Sequence, residues 1–259
     1  MTQVALFLAG VFGLPWVLDI LWPRPTQPVS VSAFLVRFVP LVWLPTLAAV
    51  AITGLMEGVP QLREELRVRL SYNPESARWL VLATALPIVA TSIAMVAARA
   101  AGDAAPFIPS AALPSMIGMQ LITGAVGEEL GWRGFLLPRL GERWGAKTAA
   151  WVMGVLWSLW HVPAWFDPTL PHHTWPIVSP LLFITFFGVF MAFIFNRAGR
   201  SVLPTIVAHL SLNIVMGFGG VQLSSVIFWR IFAGILGALA VLLSIAGARW
   251  EPVHPPETQ

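Results

Sequence analysis

No cysteine occurs among the 259 residues, which removes disulfides, thiolate nucleophiles and cysteine-ligated metals together. Charge is scarce too. Asp, Glu, Lys and Arg make up 10% of the chain, against roughly 25% in soluble domains. Only 12 residues are acidic, and there is one lysine beside 14 arginines. The longest polar connection runs only from about residue 57 to 77, which excludes a separate soluble domain, and neither an internal repeat nor a low-complexity domain is present. What fills the space is apolar: 57% of residues are hydrophobic. The net charge is only +3 and the basic residues sit in short loops. That pattern fits membrane orientation rather than nucleic-acid binding.

The expected fold class is therefore all-α, a polytopic membrane protein. Apolar runs near the ~20 residues that cross a bilayer fall at 3–22, 33–56, 78–100, 112–138, 148–166, 177–195, 202–220 and 226–247. Eight transmembrane helices enclosing an intramembrane cavity follow from them. The first run has no Lys or Arg before it and no small-residue cleavage pattern after it, so it reads as a retained helix. Residues 1–248 form a single membrane domain, with a core at about 112–220, and 249–259, EPVHPPETQ after Arg249 and Trp250, is expected to be a disordered cytoplasmic tail. His254 in that tail is expected to be without function.

Under eight spans, Arg63, Arg67, Arg69, Arg78, Arg133, Arg139, Arg143, Lys147, Arg197, Arg200 and Arg249 fall on one side, against Arg24, Arg37, Arg99 and Arg230. The positive-inside rule makes the first side, with both termini, cytoplasmic. The abundance of arginine, alanine, glycine and proline points to a GC-rich bacterial genome, hence a bacterial cell membrane. In the segment VPQLREELRVRL, Val59, Leu62, Leu66 and Leu70 share a helical stripe, and Glu65 precedes Arg69 by four. This predicts an interfacial amphipathic helix that helps to gate substrate entry.

An ionisable side chain inside a bilayer costs on the order of 2.5–3.5 kcal/mol and marks a functional site by default. Such residues here are Glu128 and Glu129 in the fourth run, His161 in the fifth, and His209 with Asn213 in the seventh. Arg37 lies in the second, and Asp19, at the end of the first, is a candidate partner for it. His172 and His173 fall in the connection FDPTLPHHTWP, where they are expected to cost nothing. Measured from the nearest basic residue at ~1.5 Å per residue, Glu128, His161, His209 and Asn213 lie roughly 16, 21, 14 and 20 Å deep. Four polar groups from three helices thus occupy one slab. Glu129 and Arg133 are four apart with the glutamate first, the favourable order for pairing. Glu128 points about 100° away, free for other work. His209 and Asn213 share a face, and Trp157 and His161 share another.

EELGWR (128–133), WSLWH (157–161) and HLSLN (209–213) resemble, in order and separation, the three motifs of the CPBP family, also called the Abi or CAAX-protease family. That family includes the type II CAAX prenyl endopeptidases. Trp157 stands where many members carry Phe. The resemblance implies an eight-helix fold with a cavity open to the cytoplasm and a glutamate-dependent intramembrane endopeptidase. By position, Glu128 would be the general base and His161 would help it hold the attacking water. His209 and Asn213 would form the oxyanion hole, with Glu129 and Arg133 in support. The chemistry is suitable: a carboxylate away from water is a stronger base, and an imidazole and a carboxamide can donate to an oxyanion. No cofactor is favoured. Zinc or another divalent metal on Glu128, His161 and His209 is the alternative. The expected partners are a peptide or membrane-protein substrate and the lipid bilayer, without nucleic acid. Eukaryotic relatives remove the last three residues of prenylated CAAX proteins, whereas other members are implicated in bacteriocin immunity, peptide processing or membrane-protein regulation. Two other classes compete with an enzyme: a non-catalytic membrane scaffold, chaperone or immunity protein of the same fold, and a small transporter, which the lack of paired repeats disfavours.

Overall fold

Long apolar segments with good helix formers leave the backbone only its own hydrogen bonds in lipid, so helices dominate. The computed structural model describes residues 1–21, 30–72, 77–245 and 250. Arg24, Arg249, the tail from Glu251 with His254, and the side chain of Asp19 lie outside the described residues. The first run forms α1 (Thr2–Leu8) and α2 (Leu14–Leu21), joined by a π-helical turn at Ala9–Gly13. α3 (Val31–Met56) carries Pro40 and Pro45 inside it. The amphipathic segment is α4 (Val59–Arg69), and α5 (Ala77–Ala100) follows.

The fourth run is the most broken. α6 (Leu113–Thr123) stops at Gly124, α7 (Ala125–Glu129) runs into a π-helical stretch at Leu130–Leu136, and α8 (Leu137–Trp144) completes the descent. The order closes with α9 (Ala146–His161), α10 (Val178–Arg197), α11 (Leu203–Gly217) and α12 (Val226–Ile245). Among the described residues four helices, α3, α5, α10 and α12, are long and apolar enough to cross a membrane by themselves. The other runs are shorter or interrupted, so length and composition do not establish eight spans. Interruption and polar residues coincide: the fourth, fifth and seventh runs carry the acidic, histidine and asparagine side chains, and π-helical turns collect at functional sites.

α10 is the central post, burying Phe183, Phe187, Phe190 and Phe195. Outward, large apolar side chains such as Val81, Val89, Ile93 and Val96 of α5 are exposed, the arrangement that lipid, rather than water, rewards. At one end Gln3, Glu57 and Arg139 are joined by hydrogen bonds and an ion pair, and Lys147 of α9 reaches Ser244 O of α12. At the other end sits a feature the all-α reading omits: a two-stranded antiparallel ribbon of β1 (Ala104–Phe107) and β2 (Gly219–Val221). Gly219 and Gly220 have φ of 88° and 90°, backbone that glycine alone takes without strain. A Cβ on Gly220 would also strike the Phe107 ring. Arg99 fastens this end through Ala105 O and Gly220 O.

α4 forms where expected, and Glu65 pairs with Arg69 at 2.8 Å. Its buried member is Arg69, whose Nε donates to Gly134 O at 2.9 Å, while Val59 and Leu70 are exposed. Trp250, at the start of the expected tail, packs edge-on against Phe193 and donates to Leu243 O.

Candidate active site

The two glycines flanking the glutamates draw the fourth run against α3. A Cβ at Gly127 would press on the Trp43 ring and Val42 O, and one at Gly131 would collide with the Pro45 backbone. Trp43 Nε1 donates to Ile122 O at 2.7 Å, locking the approach. Gly124, at the break between α6 and α7, leaves room for Asn213: its missing Cβ would stand 3.1 Å from Asn213 Nδ2. The glutamates are thereby held against α9 and α11.

Glu128, His161, His209 and Asn213 all line one cavity of about 550 Å³. The depth argument is met in geometry, since α7, α9 and α11 bring these four together. Glu128 is buried, and its Oε2 accepts from Trp157 Nε1 at 2.7 Å. Its partner is thus the tryptophan that shares a helix face with His161. Glu129 and Arg133 are both without solvent exposure and pair at 2.9 Å. The same Glu129 oxygen accepts from His209 Nδ1 at 2.9 Å, a tie no local spacing could reveal. The Arg133 guanidinium lies 4.1 Å from the Trp157 ring centre, a cation–π contact in a dry setting.

Hydrogen bonding assigns the imidazole tautomers. His161 Nδ1 lies 2.7 Å from Trp157 O; a carbonyl only accepts, so Nδ1 carries the proton and Nε2 the lone pair. His209 likewise commits Nδ1–H to the Glu129 carboxylate. Its Nε2 accepts when the ring is neutral and donates when the ring is protonated. Asn213 Nδ2 donates to Gln120 Oε1 at 3.0 Å, leaving Gln120 Nε2 as a further donor. Gln120 on α6 lines the cavity and was absent from the sequence reading.

His172 was also misjudged. Instead of sitting in solvent it lines the cavity, with its ring centre 4.1 Å from Trp175 and 6.3 Å from His161. Trp175 packs on Trp229 of α12 at 4.7 Å, which pins this connection over the cavity. Arg37 lines the cavity as well. Among the described residues no three His, Cys, Asp or Glu side chains are grouped to hold a metal ion.

Cavity and basic loops lie at opposite ends of the helices. The lining comes from the first half of α3, the end of α6, the ends of α9 and α11, and the connection 163–175, whereas Arg143, Lys147, Arg197 and Arg200 flank the other ends of α8 to α11. The cavity thus lies toward the end of the helices away from these basic residues. No residue of α4 lines the cavity, so the structure offers that helix no gating contact there.

A carboxylate, two imidazoles and a carboxamide are thus gathered in an apolar cavity of a helical integral membrane protein. In comparison with known proteins, residues 109–215 match the family described as type II CAAX prenyl endopeptidase Rce1-like. Over 100 residues the chain is 28% identical to CAAX prenyl protease 2 of Methanococcus maripaludis, covering 36% of this chain and 37% of that protein. The matched segment contains all three motifs, and the chain spans a little over a third of the relative's length.

Proposed function

We propose that this protein is an intramembrane endopeptidase in which Glu128 activates water without a metal. The observation that carries the reading is the convergence of Glu128, His161, His209 and Asn213 on one cavity. The eight apolar runs are read as eight passes around it.

In the proposed reaction Glu128 removes a proton from a water molecule whose second O–H donates to His161 Nε2. The resulting hydroxide oxygen bonds to the scissile carbonyl carbon, and the carbonyl oxygen becomes an oxyanion. Protonated His209 and Asn213 donate to that oxyanion; Glu129 holds the imidazolium by its charge and Gln120 holds the carboxamide. Collapse breaks the C–N bond, and Glu128 returns the proton to the leaving amine, giving a carboxylic acid and an amine. Oxyanion donors and a positioned base each account typically for about 10²-fold or more in rate.

The test compares the membrane proteome and peptidome of cells expressing the intact protein or Glu128→Gln, with fold and insertion checked in both. Peptides that depend on Glu128 are expected. A well-folded Glu128→Gln variant with full activity refutes the peptidase reading. Activity lost on strong chelation and restored by zinc replaces the metal-free mechanism.

A further inference from the structure

α9 leaves its basic end at Lys147, reaches His161, and continues into the connection that covers the cavity. α11 runs the same way, from Arg200 past His209 to Met216 and Gly217, which also line the cavity. α3 runs oppositely: Ala33, Arg37 and Leu41 in its first half line the cavity, while Glu57 just beyond its last residue binds Arg139 and Gln3. Every cavity-lining segment therefore agrees on the end of the helices toward which the cavity lies.

Charge separates the same two ends. Arg63, Arg67, Arg69, Arg139, Arg143, Lys147, Arg197 and Arg200 surround the end away from the cavity. Among the described residues the cavity end has Arg37, Arg99 and Arg230 with Asp103 and Asp167, whereas Glu57, Glu64, Glu65 and Glu142 accompany the basic end; Lys and Arg, not net charge, carry the comparison. Asp103 is occupied by Ser225 and Asp167 by Thr169. An excess of Lys and Arg marks the cytoplasmic side of a membrane protein, so the cavity end belongs to the opposite side.

We infer that the cavity admits its substrate from the extracytoplasmic side, and that the substrate is a membrane-anchored polypeptide cut near that face rather than a cytosolic tail. The inference rests on the peptidase reading of the site. The walls suit such a segment: Phe12, Phe34, Phe38, Leu41 and Met119 offer apolar surface leading down to the polar group at Glu128. A chain emerging from the bilayer on that side brings apolar residues to these walls and its scissile bond to the carboxylate.

Because the protein lacks cysteine, one introduced thiol reports its side without background. Thr174 in the covering connection and Arg143 at the basic end are both exposed. In intact cells a membrane-impermeant maleimide should label the full-length Thr174→Cys protein. Arg143→Cys should gain its label only after permeabilisation. The reverse pattern, or equal labelling in intact cells, overturns the inference. A second arm uses single-span proteins carrying varied peptides next to the membrane on one face or the other, expressed with the intact enzyme or Glu128→Gln. Glu128-dependent cuts confined to the extracytoplasmic peptides are expected, and cuts in the cytoplasmic ones overturn the substrate class. With labelling as expected but no Glu128-dependent cut anywhere, the peptidase reading falls and the substrate class with it, while the orientation stands.

Discussion

Replacing Glu129 by glutamine removes one charge and almost no volume from the most enclosed part of the protein. The side chains of Glu129 and Arg133 are both at 0% exposure, so neither water nor salt softens the loss. Breaking a buried pair by neutralising one partner costs about 3–5 kcal/mol, because the remaining charge is left uncompensated. Glu128 is the neighbouring carboxylate, which places the expected cost at the lower end, about 3 kcal/mol. That is a large part of the roughly 5–15 kcal/mol that holds many folded domains together. The expected result is a clear fall in folded yield and thermal midpoint in detergent. Activity per folded molecule should fall as well, since His209 Nδ1 donates to the same oxygen and the proposed oxyanion donor would be held less firmly. Adding Arg133→Met removes the orphaned cation while keeping a stem over Trp157, so the double variant should be more stable than Glu129→Gln alone. Contacting pairs show such non-additivity. A Glu129→Gln protein within about 0.5 kcal/mol of the parent, or a double variant less stable than either single one, would refute the reasoning.

Gln120→Leu deprives Asn213 of its 3.0 Å partner and should lower kcat with little change in KM, since the proposed action of the carboxamide is on the transition state; an unchanged kcat removes Gln120 from the proposed mechanism. Gly131→Ala places a methyl group into the Pro45 backbone, and overpacking of this kind costs typically about 1–3 kcal/mol, visible as reduced folded yield; a normal thermal midpoint would show that α3 can yield there. Burial pushes the His172 imidazole from 6.5 down to about 4. With the folded value below the unfolded one, the unfolded chain takes up the proton first. Stability is therefore full above 6.5 and lost as pH falls toward 4. His172→Phe should flatten that part of a thermal-stability profile, and an identical slope in both proteins would place the titration elsewhere.

The catalytic candidates were legible because lipid makes polar residues conspicuous. Glu128, His161, His209 and Asn213 stand out in apolar runs, and a fixed rise per residue converts chain position into depth. Gln120 and His172 were not legible in that way. A glutamine near a helix end and a histidine in a connection attract no attention, and what makes them matter is distant in sequence: Asn213 for the first, Trp175 on Trp229 for the second. The Glu129–His209 bond joins residues 80 apart and has no periodic signature. Helix boundaries followed hydropathy closely for α3, α5, α10 and α12. They failed where glycines and π-helical turns interrupt the fourth run. The ribbon of β1 and β2 escaped notice because its strands of four and three residues are too short for alternation to register.

Gly154 of α9 and Gly188 of α10 meet so closely that a Cβ on Gly188 would stand 2.9 Å from the Gly154 Cα, and one on Gly154 would stand 2.6 Å from Thr185 O. Two backbones in direct touch have no side chains to slide over, so α9 and α10 act as a stator that carries Trp157 and His161 together. A bulky chain can then enter only by displacing the opposite wall. That wall is the first half of α3, bounded by Pro40 and Pro45, each of which deletes a helix hydrogen bond and supplies a natural bending point. The proposed site thus divides into a fixed anvil bearing Trp157 and His161 and a compliant jaw of phenylalanines, and changes to the jaw should alter the speed of entry before they alter the proposed chemistry.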